Sequence, residues 1–364
     1  MNISTLRGTV SLESIQIIFI YLSSLLLPLV FFHRKKIDSL SHELHISVYG
    51  YFFLVIHIIL AYLVLIFIYV KIGNVFFNQS LRLNVPVWAG YVVRSILIIP
   101  LVITVLSNSK YPLFKNKKII YLLCYCPCIL IGARGTAITF LLSQLLLFIL
   151  LQEGFKSSIQ LHTDDFKRKL RKRNVIGLGL FIFTIVVSGF YLRRTGGSIY
   201  ASPQELIDLY FSVDSIWLYL IMPFYFAFRE TVGITNTIIV NSITNVELIP
   251  LFVADIFTVL PGDYKAAGQS LGDLVGRVGS GGLTPGIIGG LYIDFGMSGV
   301  FFVSIISFFL GYSFYKSGGS KRYCVIYSIF IFQYIHLIHR GFLKPEYLTF
   351  IIIATFYLLF LSKE

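Results

Sequence analysis

The side chains best equipped for chemistry in this chain are arginines set at the ends of apolar runs. Arg134 with Gly135 interrupts what would otherwise be one apolar run from Ile119 to Gln152, and Arg340 with Gly341, preceded by His339, closes a later one. Arg193 and Arg194 follow a third run, Arg277 precedes a glycine-rich stretch, and Arg94 lies inside the run from Val85 to Leu106. A guanidinium at or within a membrane is costly unless it meets an anion or reaches the headgroups. Its planar fork binds phosphate oxygens two at a time and keeps its charge, so a group of arginines suits a diphosphate that must be held and then released. Each has a plainer role beside this one: Arg193 and Arg194 can contact lipid headgroups, and Arg94 can pair with a carboxylate between helices.

Proton transfer needs a carboxylate or imidazole within hydrogen-bond reach of a hydroxyl. The candidates are Asp263, Asp273, Asp294 and His339. Asp294 lies within the run Leu283 to Phe302, which carries Pro285 and several glycines. Glycines at that density serve either close helix packing or an irregular backbone around a site. Asp294 has a structural alternative as partner to Arg340 or Arg134. His57 and His336 lie within apolar runs and read as packed or hydrogen-bonded histidines.

The elements that must position these residues are membrane spans. The chain has 364 residues, 56% hydrophobic and 13% charged, with 34 Phe and a mean hydropathy of +0.82. Apolar runs recur throughout: Ile15 to Phe32, Ser47 to Val70, Val85 to Leu106, Ile119 to Ile131, Thr136 to Gln152, Val175 to Leu192, Gly286 to Phe314, Tyr323 to Ile338 and Leu348 to Leu361. Measured against the ~20 residues that cross ~30 Å of hydrocarbon, they predict an all-α, polytopic transmembrane bundle of roughly nine to eleven spans, a single integral membrane domain over residues 1–364. The first run has no small-residue cleavage site after it and reads as a retained span.

Lysine-rich loops follow every second span, at Arg34 to Lys36, Lys110 to Lys118, Lys156 to Arg173 and Lys316 to Arg322, which assigns them to the cytoplasm. The segment 193–285 then becomes one large extracytoplasmic loop containing short helices. Its apolar patches, Val213 to Phe228 and Leu248 to Leu260, read as interfacial or re-entrant helices or as a pair of tilted spans. The net charge of +13 sits in short loops between spans, where it orients a membrane protein, so nucleic acid is not expected as a partner. Cys124, Cys126 and Cys128 lack zinc-pair spacing and read as small packing residues. Internal repeats, phosphate-cradling loops and serine elbows are missing from the sequence.

Several of these pieces resemble the O-antigen polymerase family, the oligosaccharide repeat-unit polymerases of bacterial surfaces. They are Arg134-Gly135 opening a span, the large outer loop after the sixth span, and His339-Arg340-Gly341 before the last. The fourth is the run Thr284-Pro285-Gly286-Ile287-Ile288-Gly289-Gly290-Leu291-Tyr292-Ile293-Asp294-Phe295-Gly296. The resemblance implies a glycosyltransferase on the outer face of the bacterial inner membrane, which moves a growing glycan from undecaprenyl diphosphate onto an incoming lipid-linked repeat unit. It implies Arg134 and Arg340 on the diphosphate, Arg193, Arg194 and Arg277 as helpers, and Asp294, Asp263 or His339 as base. No cofactor and no metal is called for. Partners would be the undecaprenyl-diphosphate-linked donor and acceptor, membrane lipids, a chain-length regulator and a flippase. Rival readings are an O-antigen ligase-type transferase, a lipid-linked oligosaccharide flippase, and a scaffold without catalysis; the last leaves the arginines without a purpose.

Overall fold

The computed structural model describes residues 9–32, 44–76, 81, 84–106, 116–155, 204, 216–245, 247–259, 265–275, 283–360 and 362–363. The early helices are α1 (Leu12–Val30), α2 (Val48–Lys71), α3 (Val87–Ser95), α4 (Ile98–Val105), α5 (Lys117–Leu130) and α6 (Arg134–Phe155). Then come α7 (Ile216–Val240), α8 (Leu251–Phe257), α9 (Ala267–Leu274), α10 (Gly286–Phe295), α11 (Gly299–Ser317), α12 (Lys321–Arg340) and α13 (Pro345–Phe360). Beside them stands a short antiparallel ladder, β1 (His45–Ile46) on β2 (Ser362–Lys363).

Local chemistry sets where these helices start and stop. Ser11 and Ser47 cap α1 and α2 by accepting the amide protons of Ser14 and Gly50, satisfying donors that a helix leaves open at its first turn. The span expected from Val85 to Leu106 is built of two consecutive helices, because Pro100 has no N–H and its ring crowds the carbonyl four residues back. That carbonyl, Ile96 O, instead accepts from Ile99 N at 3.1 Å. Between α5 and α6 the amides of Gly132 and Ala133 close back on Ile129 O and Cys128 O, with Gly132 at φ +74°, the geometry that ends a helix on a glycine. Gly132 therefore makes the turn, while Gly135 lies inside the first turn of α6.

The core has its centre at α4, where Ile98, Ile99, Leu101 and Ile103 are all fully buried. A helix apolar on every side must be enclosed, and α5, α6, α12 and α13 enclose this one. A second layer packs α11 against α1 and α12, and a third gathers α7, α8 and α9 around α10. The outward faces of α1, α2 and α11 carry Phe19, Leu27, Phe52, Leu63, Phe301 and Phe309, all exposed. An apolar surface of that extent needs lipid as its solvent. Leu12–Val30, Val48–Lys71, Val87–Val105 and Gly286–Ser317 are long and apolar enough to cross a membrane, and Gly135–Leu151 and Pro345–Phe360 are shorter apolar helices. The chain is a multi-pass, all-α membrane protein.

The expected short helices within 193–285 need correcting at one place. The described part of the patch Val213 to Phe228, residues 216–228, belongs to a longer element, since α7 runs 25 residues to Val240. Arg229 and Glu230 end the apolar reading of the sequence there, but neither breaks helical hydrogen bonding. The patch Leu248 to Leu260 contains α8, of only 7 residues. The expected span Val175 to Leu192 lies outside the described residues.

Candidate functional site

At the end of the bundle where α12 gives way to α13, four other elements converge: the last turn of α3, the start of α6, the middle of α7 and α8. Their meeting point is organised by Glu346, in the first turn of α13, where a carboxylate also offsets the partial charge of the helix amides. One Glu346 oxygen takes Arg94 Nη1 at 3.1 Å and the other takes the Thr136 hydroxyl at 2.9 Å, so a single side chain ties α3 and α6 to α13. Arg94 is thus paired with a carboxylate between helices, one of the roles open to it from sequence. Its Nε is buried and without a hydrogen-bond partner.

Arg134 heads α6 two residues before Thr136, which brings its backbone to this cluster. One turn further on, the Thr139 hydroxyl donates to Gly135 O at 2.9 Å and faces His336 Nε2 at 2.7 Å. A hydroxyl has one proton to give, so the imidazole donates in this contact and carries its hydrogen on Nε2. His339 reaches the Thr231 hydroxyl of α7 through Nδ1 at 3.4 Å. Arg340 is the exposed last residue of α12. Among the described residues the ion pairs are Arg94–Glu346 and Lys265–Asp273, so Arg340 has no carboxylate partner there.

Lys344 stands in the link from α12 to α13, half-buried. Burial pushes its ammonium below the usual lysine range; the Arg340 charge pushes the same way, Asp255 and Glu346 oppose, and Arg94 adds a weaker push downward. The carboxylates are occupied elsewhere, Asp255 by Ala267 N at 2.7 Å and Glu346 as above. Three cations therefore share a neighbourhood with two carboxylates already engaged. Such a balance attracts an anion with several oxygens.

The link between α12 and α13 is held by backbone contact. Gly341 adopts φ +86°, a left-handed conformation that glycine takes without strain, and its amide closes on Leu337 O at 2.8 Å. A methyl group on Gly290 would overlap the Gly341 carbonyl, and one on Gly341 would overlap the carbonyl of Gly286. The glycines of α10 thus serve close packing, Gly290 against the turn that carries Arg340 and Lys344, and Gly286 and Gly289 against Thr231 and Thr235 of α7.

Asp294 has a different position from the arginines. Its Oδ1 accepts from Asn245 Nδ2 at 2.9 Å and Leu251 N at 2.8 Å, and its Oδ2 accepts from Phe252 N at 2.6 Å. It caps α8, whose own N-cap residue Pro250 makes no side-chain cap. Phe252 O in turn accepts Leu343 N at 2.7 Å, so Asp294 fixes the loop that fixes the neighbour of Lys344. Asp294→Ala is expected to cost about 2–4 kcal/mol by leaving two amides and one carboxamide donor without their acceptor. Thermal unfolding in detergent measures this, and a Tm equal to wild type would reject the capping role.

Arg193, Arg194, Arg277 and Asp263 lie outside the described residues. Asp273 is spent on exposed Lys265 at 2.9 Å, a surface pair. His57 is a hydrogen-bonded core histidine, joined to Tyr357 at 3.0 Å and Ser95 at 2.8 Å. Sequence reasoning missed Lys344, Glu346 and Asp255. One signal was present: the loop charges assign Lys344 to the side where the cations are nearly all arginines. No family model, curated protein or solved structure matches the chain.

Proposed function

We propose that this protein polymerises lipid-linked oligosaccharide repeat units into a surface polysaccharide, by glycosyl transfer on the outer face of a bacterial inner membrane. The observation that carries the reading is the group of cationic donors at the α12–α13 end: Arg340 without a carboxylate, Arg94 Nε without a partner, and half-buried Lys344. Arg134 heads α6, whose Thr136 hydroxyl reaches Glu346 in the same group. On this reading the chain crosses the membrane roughly nine to eleven times, and the lysine-rich loops are cytoplasmic. The α12–α13 end then faces outward, with 193–285 as the large outer segment. Resemblance of Arg134-Gly135, the 284–296 run and His339-Arg340-Gly341 to O-antigen polymerases supports the same conclusion.

The chemistry asked of the residues is limited. A hydroxyl oxygen of the acceptor glycan attacks the anomeric carbon of the donor glycan. The bond from that carbon to the diphosphate oxygen breaks, undecaprenyl diphosphate leaves with the electron pair, and the hydroxyl proton passes to a base. Arg340, Arg134 and Lys344 offset the charge that develops on the departing diphosphate. Arg94 is aligned beside them by Glu346. For the base, His339 is favoured over Asp294, whose oxygens are committed to amide donors.

Purified protein in lipid nanodiscs, given undecaprenyl-diphosphate-linked repeat units alone, is expected to yield a ladder of lipid-linked polymers. Two results would overturn this. One is transfer only when a lipid A core acceptor is supplied, which marks a ligase. The other is movement of the unextended donor across a vesicle bilayer without any bond formed, which marks a flippase.

A further inference from the structure

We propose that a diphosphate bound at the α12–α13 end brings a proton into the site, and that Lys344 carries it. This rests on reading the cluster as a diphosphate site, and it adds a regulatory property to that site. The geometry restrains Lys344 from both sides. Leu343 N is held by Phe252 O at 2.7 Å, and Pro345 begins α13 directly after it, so the main chain at Lys344 is anchored between α8 and α13.

The charged and titratable groups whose fields act on Lys344 are Arg340 and His336 from α12, Glu346 from α13, Arg94 from α3 and Asp255 from α8; His339, Tyr347 and Tyr91 join the same cluster through Arg340 and Glu346. Asp255 and Glu346 already receive hydrogen bonds from Ala267 N, Arg94 and Thr136. No side chain accepts a hydrogen bond from the Lys344 ammonium among the described residues, although an ammonium has three to give. A half-buried ammonium beside two guanidiniums tends to shed its proton, in line with the downward displacement noted above. Phosphate oxygens supply both the missing acceptors and the opposing charge, so the bound anion restores the ammonium.

The sign of the linkage follows. Below the pH at which free Lys344 deprotonates, the ammonium is already present and binding takes up nothing. Between that pH and the higher one at which bound Lys344 deprotonates, each anion brings in a proton, and affinity falls as pH rises.

The test is calorimetric titration of the full-length protein in nanodiscs with inorganic pyrophosphate, in buffers of different ionisation heat. Over the window where affinity falls with pH, the wild type is expected to take up as much as about one proton per pyrophosphate. Lys344→Arg should bind without uptake, because guanidinium does not deprotonate. Lys344→Met should bind about tenfold or more weakly, also without uptake. Unchanged uptake in Lys344→Arg would assign the proton to another group, such as His339, and overturn the proposal, as would wild-type binding with no uptake at any pH or no pyrophosphate binding at all. Proton-linked binding in a protein that forms no polymer would uphold Lys344 and remove the polymerase; polymer formation with proton-independent binding would do the reverse.

Discussion

Arg340→Ala is expected to leave a folded, membrane-inserted protein whose polymer formation falls about a hundred- to thousandfold, so that cells carry single-repeat glycans. Arg340 is the exposed terminal residue of α12 and has no ion-pair partner among the described residues, so its removal deletes little protein structure. The stability change should stay within about 1 kcal/mol, mostly the loss of a cation beside the helix carbonyls. The guanidinium's value arises only as negative charge builds on the leaving diphosphate, which makes the loss kinetic. Arg134→Ala should behave alike, because α6 begins at this same cluster. Arg340→Lys keeps the charge but not the planar fork, and should recover only part of the rate. Glycan ladders read beside the amount of protein in the membrane fraction decide the matter: long-chain polymer at wild-type level in both alanine variants rejects the enzymatic role.

Gly290→Ala is expected to have the largest effect on stability, about 3 kcal/mol or more, at the upper end of what overpacking costs. The added methyl would overlap the Gly341 carbonyl, and atoms of the main chain on both sides cannot rotate away. Gly341→Ala meets the Gly286 carbonyl and must also hold φ near +86°, which adds about 1–2 kcal/mol for a residue with a side chain. Both changes push on the turn between Arg340 and Lys344, so function should fail along with stability. Gly135→Ala is the matched control, since no atom lies within 4 Å of its added methyl and alanine suits a helix better than glycine. Thermal unfolding in detergent compares the three. A Gly290→Ala protein that melts with wild type would show that α10 and the α12 turn do not touch as described.

Membrane residence and most helices were legible from the chain, because an 18-residue apolar run has few alternatives to a helix in lipid. Arg134 and Arg340 stood out for the same reason: charge at the edge of hydrocarbon has a cost that composition alone displays. Helix breaks were less legible. Pro100 splits one apolar run without changing hydropathy, the quantity by which spans are drawn, whereas the break before α6 was legible from Arg134 and Gly135 and only its turning residue, Gly132, was not.

Asp294 shows where sequence reasoning ran out. A carboxylate in a glycine-rich run near arginines suggested a base or an ion pair, and its contacts proved to be the amides of Leu251 and Phe252, some forty residues earlier. Glu346 shows the converse: in sequence it is one acidic residue at the start of an apolar run, and in space it joins Arg94, 252 residues away, to Thr136, 210 residues away. Hydropathy and charge act locally along the chain, so they dictated that this is a helical membrane protein with cations at its margins. Which cation meets which carboxylate, and which is left for a ligand, depends on packing between distant helices. That was decided by glycine contacts and side-chain hydrogen bonds that exist only once the bundle has closed.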